Sequence, residues 1–259
     1  MKNRKGLSKS LIGRRTPYDR APIREAIIDF RVTSSATFDV RDLQKSFASE
    51  LKNYPDFIEL NQAEGAFMLG PSISAAATQS HIGYLMRNSQ YVCQLKDTGF
   101  TLSRMHPYSK WEEFRDEARR LWSKYREVRK PDKIERLAVR YINKIEMPAP
   151  IEKVDEYFQT FPLLSSESPS DIEHYFMRIV VRLPDIQAKA ILSEVLLWPP
   201  NNDGIQSIVL DIDVFRDTEV PTAEKDIWKF FEKLRLKKNV LFENSITDKS
   251  RALFNDAKR

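Results

Sequence analysis

Two aspartates, Asp211 and Asp213, are the residues whose type and spacing best suit chemistry in this chain. They lie two positions apart in the run SIVLDIDVF, which is typical of a β-strand, so both carboxylates point to the same side of that strand. Paired carboxylates can bind a divalent cation or share a proton. A metal site needs further converging ligands, and no motif in the sequence supplies them. The sequence therefore predicts no metal ion and no cofactor.

Basic residues occupy matching positions on two other predicted strands. Arg136, Arg140 and Lys144 share one face of the strand predicted over residues 134–148, and Arg178 and Arg182 share one face of the strand over residues 174–183. Opposite charges on neighbouring strands stabilise a sheet by a few tenths to about 1 kcal/mol per pair. We interpret these bases and the two aspartates as ion pairs across one charged sheet face, which is the candidate binding face.

Other catalytic signatures are missing from the sequence. The histidines, His81, His106 and His174, are scattered without the spacing of a metal site. Cys93 alternates with apolar neighbours and is interpreted as a small core residue. There is no phosphate-binding loop and no dinucleotide fingerprint. The sequence favours a protein that is not an enzyme.

Composition bounds the class of protein. The 259 residues are 41% hydrophobic and 11% aromatic, as in ordinary globular domains. No stretch approaches the roughly 18 apolar residues of a membrane-spanning helix, so no membrane association is predicted. The amino-terminal residues lack the features of a secretory signal, and the single cysteine excludes an internal disulfide framework. We expect a cytoplasmic protein.

Most of the positive charge lies in a predicted flexible tail over residues 1–24. This segment holds eight basic residues against Asp19 alone, a net charge of +7, which leaves −2 for the rest of a chain whose total is +5. A basic tail can bind nucleic acid or an acidic partner, although such a tail is more often only solvated. The candidate nucleic-acid residues in this tail are Lys2, Arg4, Lys5, Lys9, Arg14 and Arg15.

The elements that carry these residues follow the same order twice. Each half begins with a strand and a helix, continues with about three antiparallel strands and ends with a long helix. We therefore predict an α+β fold built from two similar halves, residues 25–132 and 133–259, with the helices packed on one face of the sheet. Trp111 and Trp228 lie near the start of the closing helix of each half, where we expect them to anchor the core. The predicted helices cover residues 40–53, 109–130, 152–160, 223–238 and 248–254, residues 66–69 are predicted as a short strand and residues 71–80 as a loop.

Several strings of the sequence are familiar in combination. They are APIREAIIDFRV, YSKWEEF, RLAVRYINKIEMP, IVLDIDVF and KKNVLFENSIT. From about Tyr18 to Phe254 the chain resembles a sporadically distributed family of prokaryotic proteins of about this length. The resemblance implies an intracellular protein and no established substrate, cofactor or catalytic residue. Its patchy distribution is typical of accessory genes, including those of toxin–antitoxin and antiphage systems.

Three functions remain open from the sequence. The first is a binding or regulatory protein that works through protein contacts, with homo-oligomerisation as one form of them. The second is a nucleic-acid-binding protein that uses the basic tail. The third is an enzyme or a ligand-binding protein that uses the charged sheet face. The missing catalytic motifs and the slightly acidic body favour the first.

Overall fold

The structure, a computed structural model, describes residues 18–68, 74–149, 153–162, 172–197 and 204–255. Within these ranges nine strands form an antiparallel sheet in the order β2-β3-β4-β5-β1-β6-β9-β8-β7, accompanied by four α-helices. The mixed helix and strand composition predicted from the sequence is confirmed. The strands are β1 Ile23–Thr33, β2 Asp56–Met68, β3 Ser74–Arg87, β4 Tyr91–Lys96, β5 Gly99–Met105, β6 Lys133–Pro148, β7 Tyr175–Leu183, β8 Ala188–Leu196 and β9 Ile205–Arg216. The helices are α1 Arg41–Phe47, α2 Trp111–Arg129, α3 Glu224–Ser245 and α4 Asp248–Asn255.

The chain divides into two compact units. The first unit contains residues 27–105 and 109–137, and the second contains the remaining described residues, including β7, β8, β9, α3 and α4. Strands β1 and β6 each contribute residues to both units.

The core of the first unit forms where α2 packs on β1 and β5. The ring of Trp122 stacks on that of Phe30 with a centroid separation of 3.8 Å, and Phe100 lies 5.9 Å from both rings. Tyr125 packs beside Trp122 and donates a hydrogen bond of 2.7 Å to the carbonyl of Lys96, which satisfies its buried hydroxyl. The apolar stripe that predicted this helix is therefore its core face.

The second unit buries the inner face of α3. Ile227, Phe231 and Leu234 are completely buried on that helix. The carboxy-terminal helix α4 docks on the same unit through Phe254, whose ring meets that of Tyr18 edge-on at 5.2 Å. Trp111 and Trp228 are both buried, as the sequence predicts.

Several element boundaries differ from the sequence prediction. Residues 74–80, predicted as loop, belong to β3, which pairs with β2 over the full length of a long hairpin. Backbone hydrogen bonds between paired strands need no apolar side chains, so this small and polar segment gives no periodic signal. The helix expected over residues 152–160 is only a short 3-10 turn, Val154–Glu156, and α3 continues beyond residue 238 to Ser245.

Candidate binding face

Strands β7, β8 and β9 of the second unit present one face whose side chains alternate with buried ones. On β8 the burial alternates strictly, with Lys189, Ile191, Ser193 and Val195 partly exposed between buried neighbours. The registers place Val180 opposite Ile191 and Arg178 opposite Ser193 on this same face. We define the open face as Phe176, Arg178, Val180 and Arg182 of β7, Lys189, Ile191, Ser193 and Val195 of β8, and Val209, Asp211 and Asp213 of β9.

Arg140 of β6 forms a bidentate ion pair with Asp211. The Nε–Oδ1 distance is 2.8 Å and the Nη2–Oδ2 distance is 2.6 Å. This hydrogen bonding raises the pKa of Arg140 despite its partial burial, and the nearby charge of Asp213 adds to the effect. Bidentate pairing with a guanidinium fixes the position of the Asp211 carboxylate, which is typical of a structural ion pair. The predicted pairing of acid and base across the sheet is confirmed for these two residues.

Two other basic residues of β6 pair with carboxylates that the sequence interpretation did not assign to them. Arg136 donates to Asp29 of β1 at 2.8 Å within the first unit, with only 12% of its side chain exposed. Lys144 donates at 2.7 Å to Glu146, two positions along its own strand.

The arginines of β7 do not oppose the aspartates of β9. Strand β8 lies between them, so Arg178 faces Ser193, and Ser193 in turn faces Asp211. Two strand spacings separate a residue of β7 from one of β9, or about 9.6 Å. Arg182 lies opposite Lys189, which is itself paired with Asp217 at 2.8 Å. Both arginines are exposed, and neither forms an ion pair with any residue in the described ranges.

Exposed apolar side chains are the feature of β7 that the sequence interpretation missed. Phe176 is 67% exposed and Val180 is 61% exposed, and both lie on the open face. Among the strands that the structure describes, β7 lies at one edge of the sheet. The signal was present in the run YFMRIVVRL, which places apolar residues on both faces of the strand instead of alternating with polar ones.

Two buried ionisable residues lie on the opposite face of the second unit. Glu194 of β8 is 1% exposed; its Oε1 accepts a short hydrogen bond from Tyr175, whereas Oε2 has no hydrogen-bond partner among the described residues. Burial raises the pKa of Glu194 from 4.5 to about 7, and the hydrogen bond from Tyr175 lowers it only in part. The Nζ of Lys238 lies 3.6 Å from the ring centroid of Tyr141, and burial lowers its pKa to about 7.

The described residues contain no group of three or more His, Cys, Asp or Glu side chains that could hold a metal ion. Asp211 is instead held by a guanidinium, as described above. The six basic residues proposed for nucleic-acid binding, Lys2, Arg4, Lys5, Lys9, Arg14 and Arg15, lie outside the described residues.

Comparison with known proteins adds no family. No model of a known protein family matches the chain, and a search of curated proteins likewise finds no match. Among the helices that the structure describes, none combines the length and the apolar character needed to cross a bilayer.

Proposed function

We propose that this chain is a non-enzymatic binding protein that acts through protein–protein contacts, and that strand β7 with its open face is the contact surface. The observation that carries this proposal is the exposure of Phe176 and Val180 at 67% and 61% on an edge strand. Phe176 and Val180 flank Arg178 on the open face, and both are exposed to water. Exposed apolar side chains of this size favour burial against a partner.

The edge position of β7 adds a second reason. An edge strand presents unpaired N–H and C=O groups along its outer side, and these can pair with an extended segment of another chain. Proteins that avoid such pairing place charged residues, especially lysine, or proline on the edge, or shorten the strand. Strand β7 runs for nine residues and contains neither lysine nor proline, and its two charged residues, Arg178 and Arg182, both lie on the open face. Main-chain pairing would supply affinity, and Arg178 and Arg182 would supply selectivity on the open face.

The proposed origin of the fold is an internal duplication. What supports it is the shared strand arrangement of the two halves. In the first half β1 lies beside β5, followed by β4, β3 and β2, and in the second half β6 lies beside β9, followed by β8 and β7. In each half a long helix follows the antiparallel strands and begins close to a buried tryptophan, Trp111 in α2 and Trp228 in α3. In the second half the short helix α4 comes after it.

The proposed setting is the cytoplasm, where the chain would serve as an accessory component of a toxin–antitoxin or antiphage system. This part of the proposal depends on the family resemblance of the strings described above. This setting predicts that the polypeptide in contact with β7 in the native host is the product of a neighbouring gene or another copy of this chain.

Site-specific photo-crosslinking in the native host tests the contact surface. The photoreactive residue p-benzoylphenylalanine replaces Phe176, whose aromatic ring it resembles in shape. The matched control replaces Ile58 of β2, the other edge strand, which is 46% exposed. We expect a crosslinked polypeptide of discrete mass from position 176 and none from position 58. Equal crosslinking at the two positions, or none at 176, would overturn the proposal.

A further inference from the structure

We propose that the occupant of the β7 edge is β7 of a second copy of this chain, paired antiparallel about a two-fold axis at Ile179. This inference rests on the proposed function, since it names the partner of that same strand. It follows from the register that the sequence of β7 allows when the strand pairs with itself.

The bounds of β7 are symmetric about one residue. The strand spans nine residues, and Ile179 is the central one. A two-fold axis perpendicular to the sheet keeps equivalent faces of both copies on one side. Residues directly opposite each other in an antiparallel pair point to the same side, so at such an axis one residue lies opposite its own counterpart in the other copy. We name each possible axis by that residue. An axis at Ile179 places Tyr175 opposite Leu183, and all nine residues of each strand then take part in the pairing.

On the open face this axis places each arginine opposite an apolar side chain. Arg182 of one copy faces Phe176 of the other, and Arg178 faces Val180. The guanidinium and stem of Arg182 can then cover the aromatic ring, which favours a cation–π contact. The two most exposed apolar residues of the strand, at 67% and 61%, each gain an arginine stem of the other copy beside them and become less exposed. Arginines of the two copies approach each other only diagonally, at about 7 to 8 Å.

On the other face the same axis brings no charged residues together. Ile179, which is 37% exposed, meets its own counterpart, and Met177 meets Val181. The apolar layer beneath β7 of one copy thus continues into that of the other.

The remaining axes are less favourable. An axis at Val180 sets Arg178 directly opposite Arg182 at two places, and an axis at Arg178 sets that residue against itself. Like charges directly opposite each other destabilise a strand pair. An axis at Met177 or Val181 leaves only residues 175–179 or 179–183 of the strand paired. Of the axes compared, the one at Ile179 therefore pairs all nine residues of β7 and also keeps the arginines of the two copies from lying directly opposite each other.

Sedimentation velocity of the purified full chain over a range of concentrations tests self-association. We expect a reversible dimer. Val180→Lys places a lysine opposite Arg178 twice in each dimer, so we expect the dissociation constant to rise at least about tenfold, or about 1.4 kcal/mol. The control Ile58→Lys should leave the dissociation constant unchanged, and circular dichroism melting establishes that both variants fold.

Disulfide trapping tests the register. The native cysteine Cys93 is completely buried, so an introduced cysteine is the reactive one. In the proposed register Ile179→Cys brings two Cα atoms about 4.5 to 5.5 Å apart, within the range of a disulfide. Val180→Cys leaves its two copies about 8 Å apart, beyond that range. We expect rapid covalent dimer from Ile179→Cys and none from Val180→Cys.

The outcomes separate this inference from the proposed function. Trapping by Val180→Cys alone would overturn the Ile179 axis. A monomer at all concentrations would overturn self-pairing altogether. If residue 176 then crosslinks to a different polypeptide, such as one with an acidic extended segment, the proposed function stands without the second copy. Absence of both dimer and crosslink would overturn both.

Discussion

Replacing Glu194 with glutamine should change how the stability of the protein depends on pH. The carboxyl group of Glu194 is 1% exposed and has a folded-state pKa of about 7, against 4.5 for an ordinary glutamate. Between these two values the folded protein keeps a proton that the unfolded chain has released. The unfolded state binds fewer protons in this window, so stability is fully present below pH 4.5 and falls as the pH rises towards 7.

The size of the effect follows from the shift in pKa. One pKa unit corresponds to 1.36 kcal/mol, so the glutamate costs the folded state about 3 kcal/mol at pH 8 relative to pH 4.5. Glutamine has no proton to lose, and Glu194→Gln should remove this loss. The amide also places an N–H₂ group where Oε2 has no partner, which can lower the stability of the variant at every pH. The difference in pH dependence, and not the absolute stability, is therefore the informative quantity.

Urea denaturation followed by circular dichroism at pH 5, 6, 7 and 8 measures this quantity. We expect the free energy of unfolding of Glu194→Gln, relative to the wild type, to increase by about 2 to 3 kcal/mol between pH 5 and pH 8. The control Glu173→Gln changes an exposed glutamate close in sequence to β7 and should reproduce the wild-type pH dependence. A relative change below about 0.5 kcal/mol for Glu194→Gln would refute the argument from burial.

Three further predictions concern the packing and the charges of the units. Trp111→Ala and Trp228→Ala should each lower the free energy of unfolding by about 3 to 5 kcal/mol in urea denaturation, and near-native stability would place that ring outside the core. A double-mutant cycle of Arg140→Met and Asp211→Asn should give a coupling energy of about 0.5 to 1 kcal/mol, since the arginine is 43% exposed; zero coupling would remove the pair as a stabilising contact. Burial holds the pKa of Lys238 near 7 when folded against 10.5, so the unfolded chain binds more protons between these values. Wild-type stability relative to Lys238→Met should therefore rise by about 2 to 3 kcal/mol from pH 7 to pH 9 in urea denaturation, and a parallel pH dependence of the two proteins would contradict this.

Local patterns in the sequence were enough to identify most elements and much of the core. The alternation of Leu137, Val139 and Tyr141 marked the buried face of β6, and the three- and four-residue spacing in α2 marked the helix that covers Phe30. These signals are reliable because side-chain periodicity is a property of a single element and needs no knowledge of its neighbours. The sequence did not predict the hairpin of β2 and β3, because the pairing of these strands depends on backbone hydrogen bonds and not on a side-chain pattern.

The charged face shows what the sequence left open. Arg136 and Arg140 share one face of β6, yet the first pairs with Asp29 and the second with Asp211. Their partners depend on which strands lie on either side of β6, and strand order is not a local property of the sequence. The same reason explains Arg178, which the insertion of β8 separates from Asp211.

By itself the sequence determined the mixed helix and strand composition of the fold, the buried faces of strands such as β6, and the residues available for ion pairs. Only the tertiary structure decided that β7 lies at an edge, that Phe176 and Val180 face water, and that Glu194 is buried beside Tyr175. Exposure and burial of a strand residue depend on the strands and helices that pack against it. Those neighbours come from distant parts of the chain, so the register and order of the strands had to be known first.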